Sequence, residues 1–168
     1  LATIYRARRV LKGRNMYVLS SDNWMRENMY HAYECGAWYS AAFQKGETKE
    51  WCLSFNKKGR ITDVKVGGRD QWVMYGPTYF SREFTSRFMP VLEAYYKTPG
   101  TEQFYWEQVY VDMLTGEAKR RLEQEDQEIL KQAVRESALP AGHWNEIEMD
   151  ANRQPEDQVY EFENLEEL

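Results

Sequence analysis

The fold is decided by residues 16–23, which read Met16-Tyr17-Val18-Leu19-Ser20-Ser21-Asp22-Asn23. The first four residues form an apolar run of strand length. The last four are small and polar, which is typical of a loop. Asp22 is therefore expected just past the C-terminal end of a strand. Ligands of open α/β sheets bind in the crevice outside such strand ends, so this stretch predicts an α/β fold with a ligand site near Asp22.

The residues on either side predict helices and strands before residue 80. A helix over Ile4–Leu11 ends at Gly13, and a short helix follows over Trp24–Glu34. An antiparallel meander comes next. Its strands are Ala37–Phe43, Trp51–Phe55, Ile61–Val66 and Gln71–Tyr75, with a turn around Gly46. Alternation places Ile61, Asp63 and Lys65 on one face and Thr62, Val64 and Val66 on the other.

The second half of the chain reads as mostly helical. Ser81 is a suitable N-cap for a helix with apolar positions at helical spacing, and Pro90 predicts a kink or two abutting helices there. The apolar positions are Phe84, Phe88, Val91, Leu92 and Tyr95. Further helices are predicted over Phe104–Met113 and Glu117–Glu136, an extended segment over Trp144–Met149, a strand over Val159–Phe162 and an acidic helix from Asn164.

Composition favours one globular domain over residues 1–168. The chain is 42% apolar and 29% charged, and no apolar run approaches the roughly 20 residues that span a bilayer. A net charge of −5 argues against nucleic acid as the main partner. Cys35 and Cys52 are weak support for a disulfide scaffold, so a reduced, cytoplasmic setting is expected. The start at Leu1, without a signal sequence, suggests a cut chain.

Several chemistries find little support in the sequence. His31 and His143 with two distant cysteines give a zinc site few ligands, and no glycine-rich phosphate loop or G-x-S-x-G motif is present. A basic cluster lies near the start and has two readings, a solvated helix face or a phosphate contact. It comprises Arg6, Arg8, Arg9, Lys12 and Arg14.

Aromatic residues beside acids are the main candidates for binding. They make up 15% of the chain, and two clusters stand out, Glu50-Trp51 and Phe104-Tyr105-Trp106-Glu107. Ring faces next to an acid suit a quaternary ammonium ligand, although aromatic residues also serve as ordinary core. Asp22 has two readings as well: it caps the helix predicted from Trp24, or it binds Mg²⁺ together with a second carboxylate such as that of Glu107.

Five segments in order resemble LicC-type CTP:phosphocholine cytidylyltransferases. They are Y-V-L-S-S-D-N (17–23), K-E-W-C-L-S-F (49–55), G-R-I-T-D-V-K-V-G-G (59–68), Y-W-E-Q (105–108) and V-Y-E-F-E-N-L-E-E-L (159–168). The similarity covers most of residues 5–168. Residues 115–152 diverge from the family and are expected to be a helical insertion.

The resemblance implies a Rossmann-like nucleotidyltransferase fold, a mixed sheet flanked by helices, similar to sugar-nucleotide pyrophosphorylases. The family's glycine-rich signature loop is missing, so the chain is expected to be N-terminally truncated, to hold the C-terminal substrate- and metal-binding part, and to be inactive alone. The implied reaction is Mg²⁺-dependent cytidylyl transfer from CTP to phosphocholine, giving CDP-choline and pyrophosphate for cell-surface choline modification.

The resemblance also implies roles for individual residues. Asp22 is matched to a metal-binding aspartate, and Glu107 stands where the family commonly has an aspartate, so both are expected to be catalytic metal ligands. Trp51 and Tyr105 are matched to walls of the choline pocket, with Glu50 and Trp106 as contributors. Ser20 departs from the family, which often has an acid there.

Two other functions stay open at this point. A sugar-1-phosphate nucleotidyltransferase would need hydrogen-bonding side chains for hydroxyl groups. A non-catalytic choline-binding or docking module of a longer choline-kinase-like protein would need neither metal nor nucleotide. Sheet edges left by missing strands also predict a homo-oligomer.

Overall fold

A computed structural model describes residues 1–101, 103–125, 128, 135 and 147–162. The elements in chain order are α1 (Ala2–Leu11), β1 (Met16–Val18), β2 (Asn23–Met25), β3 (Trp38–Phe55), β4 (Ile61–Phe80), α2 (Arg82–Lys97), α3 (Trp106–Thr115), α4 (Glu117–Glu125), β5 (Asp150–Arg153) and β6 (Val159–Glu161). They form two compact units. The helical unit comprises Leu1–Met16 and Ser81–Glu148, and the sheet unit comprises Tyr17–Phe80 and Met149–Leu168.

Helix α2 is the centre of the helical unit. Ser81 caps it as predicted, because its side chain accepts a hydrogen bond from the Phe84 N–H at 3.2 Å. The division into two abutting helices is wrong, since Pro90 lies inside one continuous helix. Phe88 and Leu92 on the same helix are fully buried. Burial of this apolar face offsets the backbone hydrogen bond that a proline removes.

The sheet unit contains a four-stranded mixed sheet and a two-stranded sheet. The strand order of the larger sheet is β1-β4-β3-β5, with β3 antiparallel to β4 and parallel to β5. The smaller sheet pairs β2 with β6. Helices together with a mixed sheet confirm the predicted α/β class.

Strands β3 and β4 form one long antiparallel ribbon. The turn predicted around Gly46 is wrong, because β3 continues through it and its register with β4 shifts between Gln44 and Glu47. Gly46 has a φ of +80°, and its N–H donates to Asp70 Oδ1 at 2.9 Å. A bulge with a left-handed glycine therefore replaces the turn.

The ribbon curls until its strand segments close into a ring. Val73 of β4 is paired both with Ala42 and with Cys52, which belong to the two ends of β3. Strand β5 completes the circuit, because it pairs with the start of β3 on one side and bridges Arg60 through Asp150 on the other. The sheet unit is thus built around a small closed set of strands.

Two local predictions fail in this unit. The helix over Trp24–Glu34 is absent, and Trp24 instead pairs with Tyr160 of β6. Because this partner lies near the other end of the chain, the spacing of neighbouring residues could not predict the strand. The alternation from Ile61 is also wrong, because Ile61 and Val64 are both buried. A register shift there supplies an extra residue, which puts them on the same face.

The C-terminal predictions are tested only in part. The helix from Glu117 is described as far as Glu125, and the last strand is confirmed as Val159–Glu161. The remainder of the predicted helix to residue 136, most of the extended segment from Trp144 and the helix from Asn164 lie outside the described residues. Within the described part of the chain, no helix has the length and apolar character needed to cross a bilayer.

Candidate functional site

Asp22 lies in a tight connection between β1 and β2. The connection is closed by a hydrogen bond from the Asn23 N–H to the Ser20 carbonyl oxygen at 3.4 Å. Asp22 is exposed, and its carbonyl oxygen accepts the Phe162 N–H at 3.1 Å. Its predicted role as a helix cap is wrong, because β2 rather than a helix follows. The metal-binding interpretation of Asp22 stays a prediction.

Glu161 lies beside this connection, at the end of β6. It is the register partner of Asn23, whose side-chain Nδ2 donates to Glu161 Oε1 at 3.1 Å. The backbone of Gly76 on β4 also favours the charged form of this carboxylate. The Glu161 N–H in turn donates to the Tyr75 hydroxyl oxygen at 3.1 Å. Glu161 is thus held through its backbone and through its carboxylate.

Two further carboxylates, those of Asp22 and Glu50, act on Glu161 electrostatically. Partial burial raises the pKa of Glu161, and repulsion from Asp22 and Glu50 adds to the rise, while the Asn23 and Gly76 donors oppose it. Burial also raises the pKa of the Tyr75 phenol, and the same three acids add to that rise. Asp22 and Glu50 thus lie within electrostatic range of both Glu161 and Tyr75, and these four residues are together named the acidic site.

The acidic site rests on a small aromatic core. The core contains Met29, Trp38, Tyr79 and Val159, with Tyr17, Met25 and Tyr75 packed against it. Gly76 lets β6 approach this core, because a Cβ at that position would lie 2.7 Å from Val159 Cγ1.

Glu50 and Trp51 are neighbours on β3. Glu50 is exposed and Trp51 is half-buried opposite Val66. A regular strand would direct consecutive side chains to opposite faces, but register shifts interrupt β3 between Thr48 and Trp51. Of the residues predicted for the site, Asp22 and Glu50 both act electrostatically on Glu161, and the placement of the Trp51 ring beside them stays a prediction.

Tyr105, Trp106 and Glu107 belong to the helical unit, at the start of α3. Tyr105 is 73% exposed, and the half-buried Trp106 packs edge-on against Phe88 with ring centroids 6.0 Å apart. Glu107 is half-buried in the first helical turn. Their convergence with Asp22 and Trp51 stays a prediction.

A buried polar network supports the segment before α3. Asp112 is 3% exposed and accepts hydrogen bonds from Tyr95 Oη at 2.8 Å and Gln108 Nε2 at 2.6 Å. Arg121 of α4 pairs with it through Nε at 3.4 Å and lies 5.2 Å from the Phe104 ring centroid. This network ties α3 and α4 to the residue that precedes Tyr105.

The described residues contain no group of three or more His, Cys, Asp or Glu side chains arranged to hold a metal. Mg²⁺ usually takes one or two protein carboxylates and completes its shell with water and substrate phosphates. An exposed Asp22 among other carboxylates fits such an ion, and the hard oxygen donors suit it. Cys35 and Cys52 are unbridged, and burial raises the pKa of the Cys52 thiol, which makes it a poor ligand.

The architecture is that of a nucleotidyltransferase fold. More particularly, the fold is similar to that of the solved CTP:phosphocholine cytidylyltransferase of Streptococcus pneumoniae (LicC): 98% of the chain superposes on 58% of that protein, with a TM-score of 0.73 and 13% identity. The fold expected from the resemblance is confirmed.

Two curated proteins are similar in sequence. The 2-aminoethylphosphonate cytidylyltransferase of Lancefieldella rimae is 26% identical over 110 residues, which are 65% of this chain and 45% of that protein. The choline-phosphate cytidylyltransferase of Streptococcus pneumoniae is 20% identical over 98 residues, which are 58% of this chain and 43% of that protein. The chain spans about half the length of these relatives. No protein-family model matches it.

Sequence reasoning missed Glu161 and Tyr75. Glu161 stands in a quoted segment, yet only its pairing with Asn23 reveals it as a partner of Asp22. Tyr75 reads locally as an ordinary strand aromatic. The sequence did contain one signal for Glu161: an acidic residue directly follows two residues that favour strands, at the start of the short strand from Val159.

Proposed function

We propose that this chain is part of a cytidylyltransferase whose acceptor carries a cationic nitrogen and a phosphorus oxyanion. An oxygen of the acceptor's phosphorus group attacks the α-phosphorus of CTP. The bond between the α-phosphorus and the α,β-bridging oxygen breaks, and pyrophosphate leaves. The likeness to two curated cytidylyltransferases supports the reaction class. The observation that supports the acceptor class is the joint electrostatic effect of Asp22 and Glu50 on Glu161 and Tyr75, with Trp51 next to Glu50 in the sequence.

Negative charge beside an aromatic side chain suits an ammonium group. The carboxylates attract the cation over several ångströms, while a ring face binds it without needing a hydrogen bond. The Glu161 carboxylate accepts a hydrogen bond from Asn23, and its N–H donates to Tyr75, so its orientation is set before a ligand arrives. Preorganisation of this kind limits the entropy lost on binding.

The proposed metal is Mg²⁺, with Asp22 as a ligand and Glu107 as the predicted second ligand. Bound there, it would neutralise charge on the CTP phosphates. The protein residues position the reactants, since phosphoryl transfer of this kind depends mainly on alignment and charge. CTP and the acceptor are the proposed partners, and Tyr105 and Trp106 are the proposed further walls of the acceptor pocket.

Two acceptors share the required chemistry. Phosphocholine carries a quaternary ammonium, and 2-aminoethylphosphonate carries a primary ammonium that can donate hydrogen bonds. The relative with the higher identity, 26%, is named for the phosphonate and the other for choline phosphate. A carboxylate cluster favours the primary ammonium, because carboxylates accept its hydrogen bonds.

Isothermal titration calorimetry tests the proposal. Phosphocholine and 2-aminoethylphosphonate are titrated into the 168-residue chain, its Trp51→Leu variant and its Glu161→Gln variant, with Mg²⁺ present. We expect micromolar to millimolar binding of at least one acceptor and a loss of about tenfold or more in each variant. Glucose 1-phosphate is the control ligand. Preferential binding of the sugar phosphate, or no acceptor binding at all, would contradict the proposal.

A further inference from the structure

Tyr75 links the acidic site to the aromatic core. Its partly buried ring packs against the cluster of Met29, Trp38, Tyr79 and Val159. Its hydroxyl oxygen accepts the Glu161 N–H at 3.1 Å. A ring fixed by packing therefore sets the position of a backbone group in β6.

Asn23 of β2 completes the hold on Glu161. Tyr75 accepts the backbone N–H of Glu161, and the Asn23 side chain donates to its carboxylate at 3.1 Å. Strand β6 is only three residues long, and its other partner is the three-residue β2. Two such short strands give weak support alone. The hydrogen bond to Tyr75 of β4 therefore adds a fixed point to the backbone that carries the carboxylate.

We propose that Tyr75 is a positioning residue for acceptor recognition: its hydroxyl fixes Glu161 so that the carboxylate faces the acceptor's cationic nitrogen. This inference rests on the proposed function. Tyr75 does not contact the reacting atoms in this account; it acts through Glu161. Because burial and the nearby acids raise the pKa of Tyr75, the phenol stays neutral at neutral pH and adds no further negative charge.

The test compares two phenol-to-phenyl changes in the same cluster. Tyr75→Phe keeps the ring and removes the oxygen that accepts the Glu161 N–H. Tyr79→Phe removes a hydroxyl from the same core and leaves that hydrogen bond in place. Acceptor affinity is measured by calorimetry with 2-aminoethylphosphonate and phosphocholine, and the thermal midpoint is recorded for each variant. The double variant Tyr75→Phe/Glu161→Gln completes a double-mutant cycle, which measures the energetic coupling between the two residues.

We expect Tyr75→Phe to lower acceptor affinity about three- to tenfold and Tyr79→Phe to leave it unchanged. The double variant should bind no more weakly than Glu161→Gln alone, because both changes act through one carboxylate. Equal affinity of Tyr75→Phe and the unchanged chain would overturn the inference, as would fully additive losses. If the unchanged chain binds neither acceptor, the proposed function fails and this inference fails with it, a result distinct from the other two.

Discussion

Gly76 and Val159 approach each other so closely that a Cβ on Gly76 would lie 2.7 Å from Val159 Cγ1. The contact joins β4 to β6, and Gly76 also adopts a φ of +91° that L side chains rarely take. Only glycine satisfies both requirements. The position of β6, and with it Glu161, depends on this residue.

Gly76→Ala is expected to destabilise the sheet unit. Strain at positive φ and the overlap with Val159 together should cost about 2–4 kcal/mol, measured as the free energy of unfolding in urea. Gly46→Ala is the matched control, since Gly46 has a φ of +80° and open space where its Cβ would lie. It should cost only the backbone strain. Equal losses in the two variants would show that the Val159 contact is unimportant.

Glu161→Gln is expected to stabilise the protein at neutral pH. Burial, Asp22 and Glu50 raise the folded-state pKa of Glu161, so ionised Glu161 opposes folding. This cost to folding stability is absent below the pKa that Glu161 has in the unfolded chain. It grows as the pH rises through the higher pKa that Glu161 has in the folded chain. Thermal midpoints from pH 3 to 8 should therefore be equal for the variant and the unchanged chain in acid and higher for the variant at neutrality. A gain that does not change with pH would contradict this explanation.

Glu93→Gln is expected to show the opposite dependence. Partial burial opposes ionisation of Glu93, but Lys97 at 2.9 Å and Arg8 at 3.2 Å outweigh it and lower the pKa. Ionised Glu93 thus contributes stability above its unfolded pKa, and this is lost as pH falls through the lower folded pKa. The variant should melt earlier at neutral pH and match the unchanged chain in acid. A deficit that persists in acid would point to lost packing instead.

Asp112→Ala is expected to be among the most destabilising changes in the helical unit. It leaves the Tyr95 hydroxyl and Arg121 of the buried network without their shared acceptor. Breaking a buried pair in this way costs about 3–5 kcal/mol. Arg120→Ala removes an ion pair with Glu117 on the surface of α4 and serves as the control, with a much smaller change in denaturant midpoint. Similar losses in both would contradict the role assigned to Asp112.

The sequence predicts those elements whose signal is local. Ser81 marks a helix start through its cap, and the apolar spacing of α2 and the run at Met16 are visible without any partner. The sequence did not predict strands that form by pairing with residues far away in the chain. One example is the strand that contains Trp24, which pairs with the strand that contains Tyr160.

The candidate site divides in the same way. Asp22 and Glu50 stand beside recognisable turn and aromatic residues, whereas Glu161 becomes a site residue only through its contacts with Asn23 and Tyr75. Hydrogen bonds across about 80 to 140 positions leave no periodicity in a single sequence. The bulge at Gly46 could not be predicted from the sequence either, because a glycine in a strand is equally consistent with a turn and with a bulge.

The closed ring of strands can be completed only late in synthesis, because β5 is its last strand along the chain. Ribosomes deliver β3 and β4 first, then the entire stretch from Ser81 to Glu148, and only afterwards β5, whose backbone bridges Asp150 to Arg60. Until Arg153 has left the ribosome, the edge of the ribbon that pairs with β5 has unpaired amide and carbonyl groups. Strands of other chains can pair with this edge. Chains that stall before residue 150 should therefore be the ones that need a chaperone.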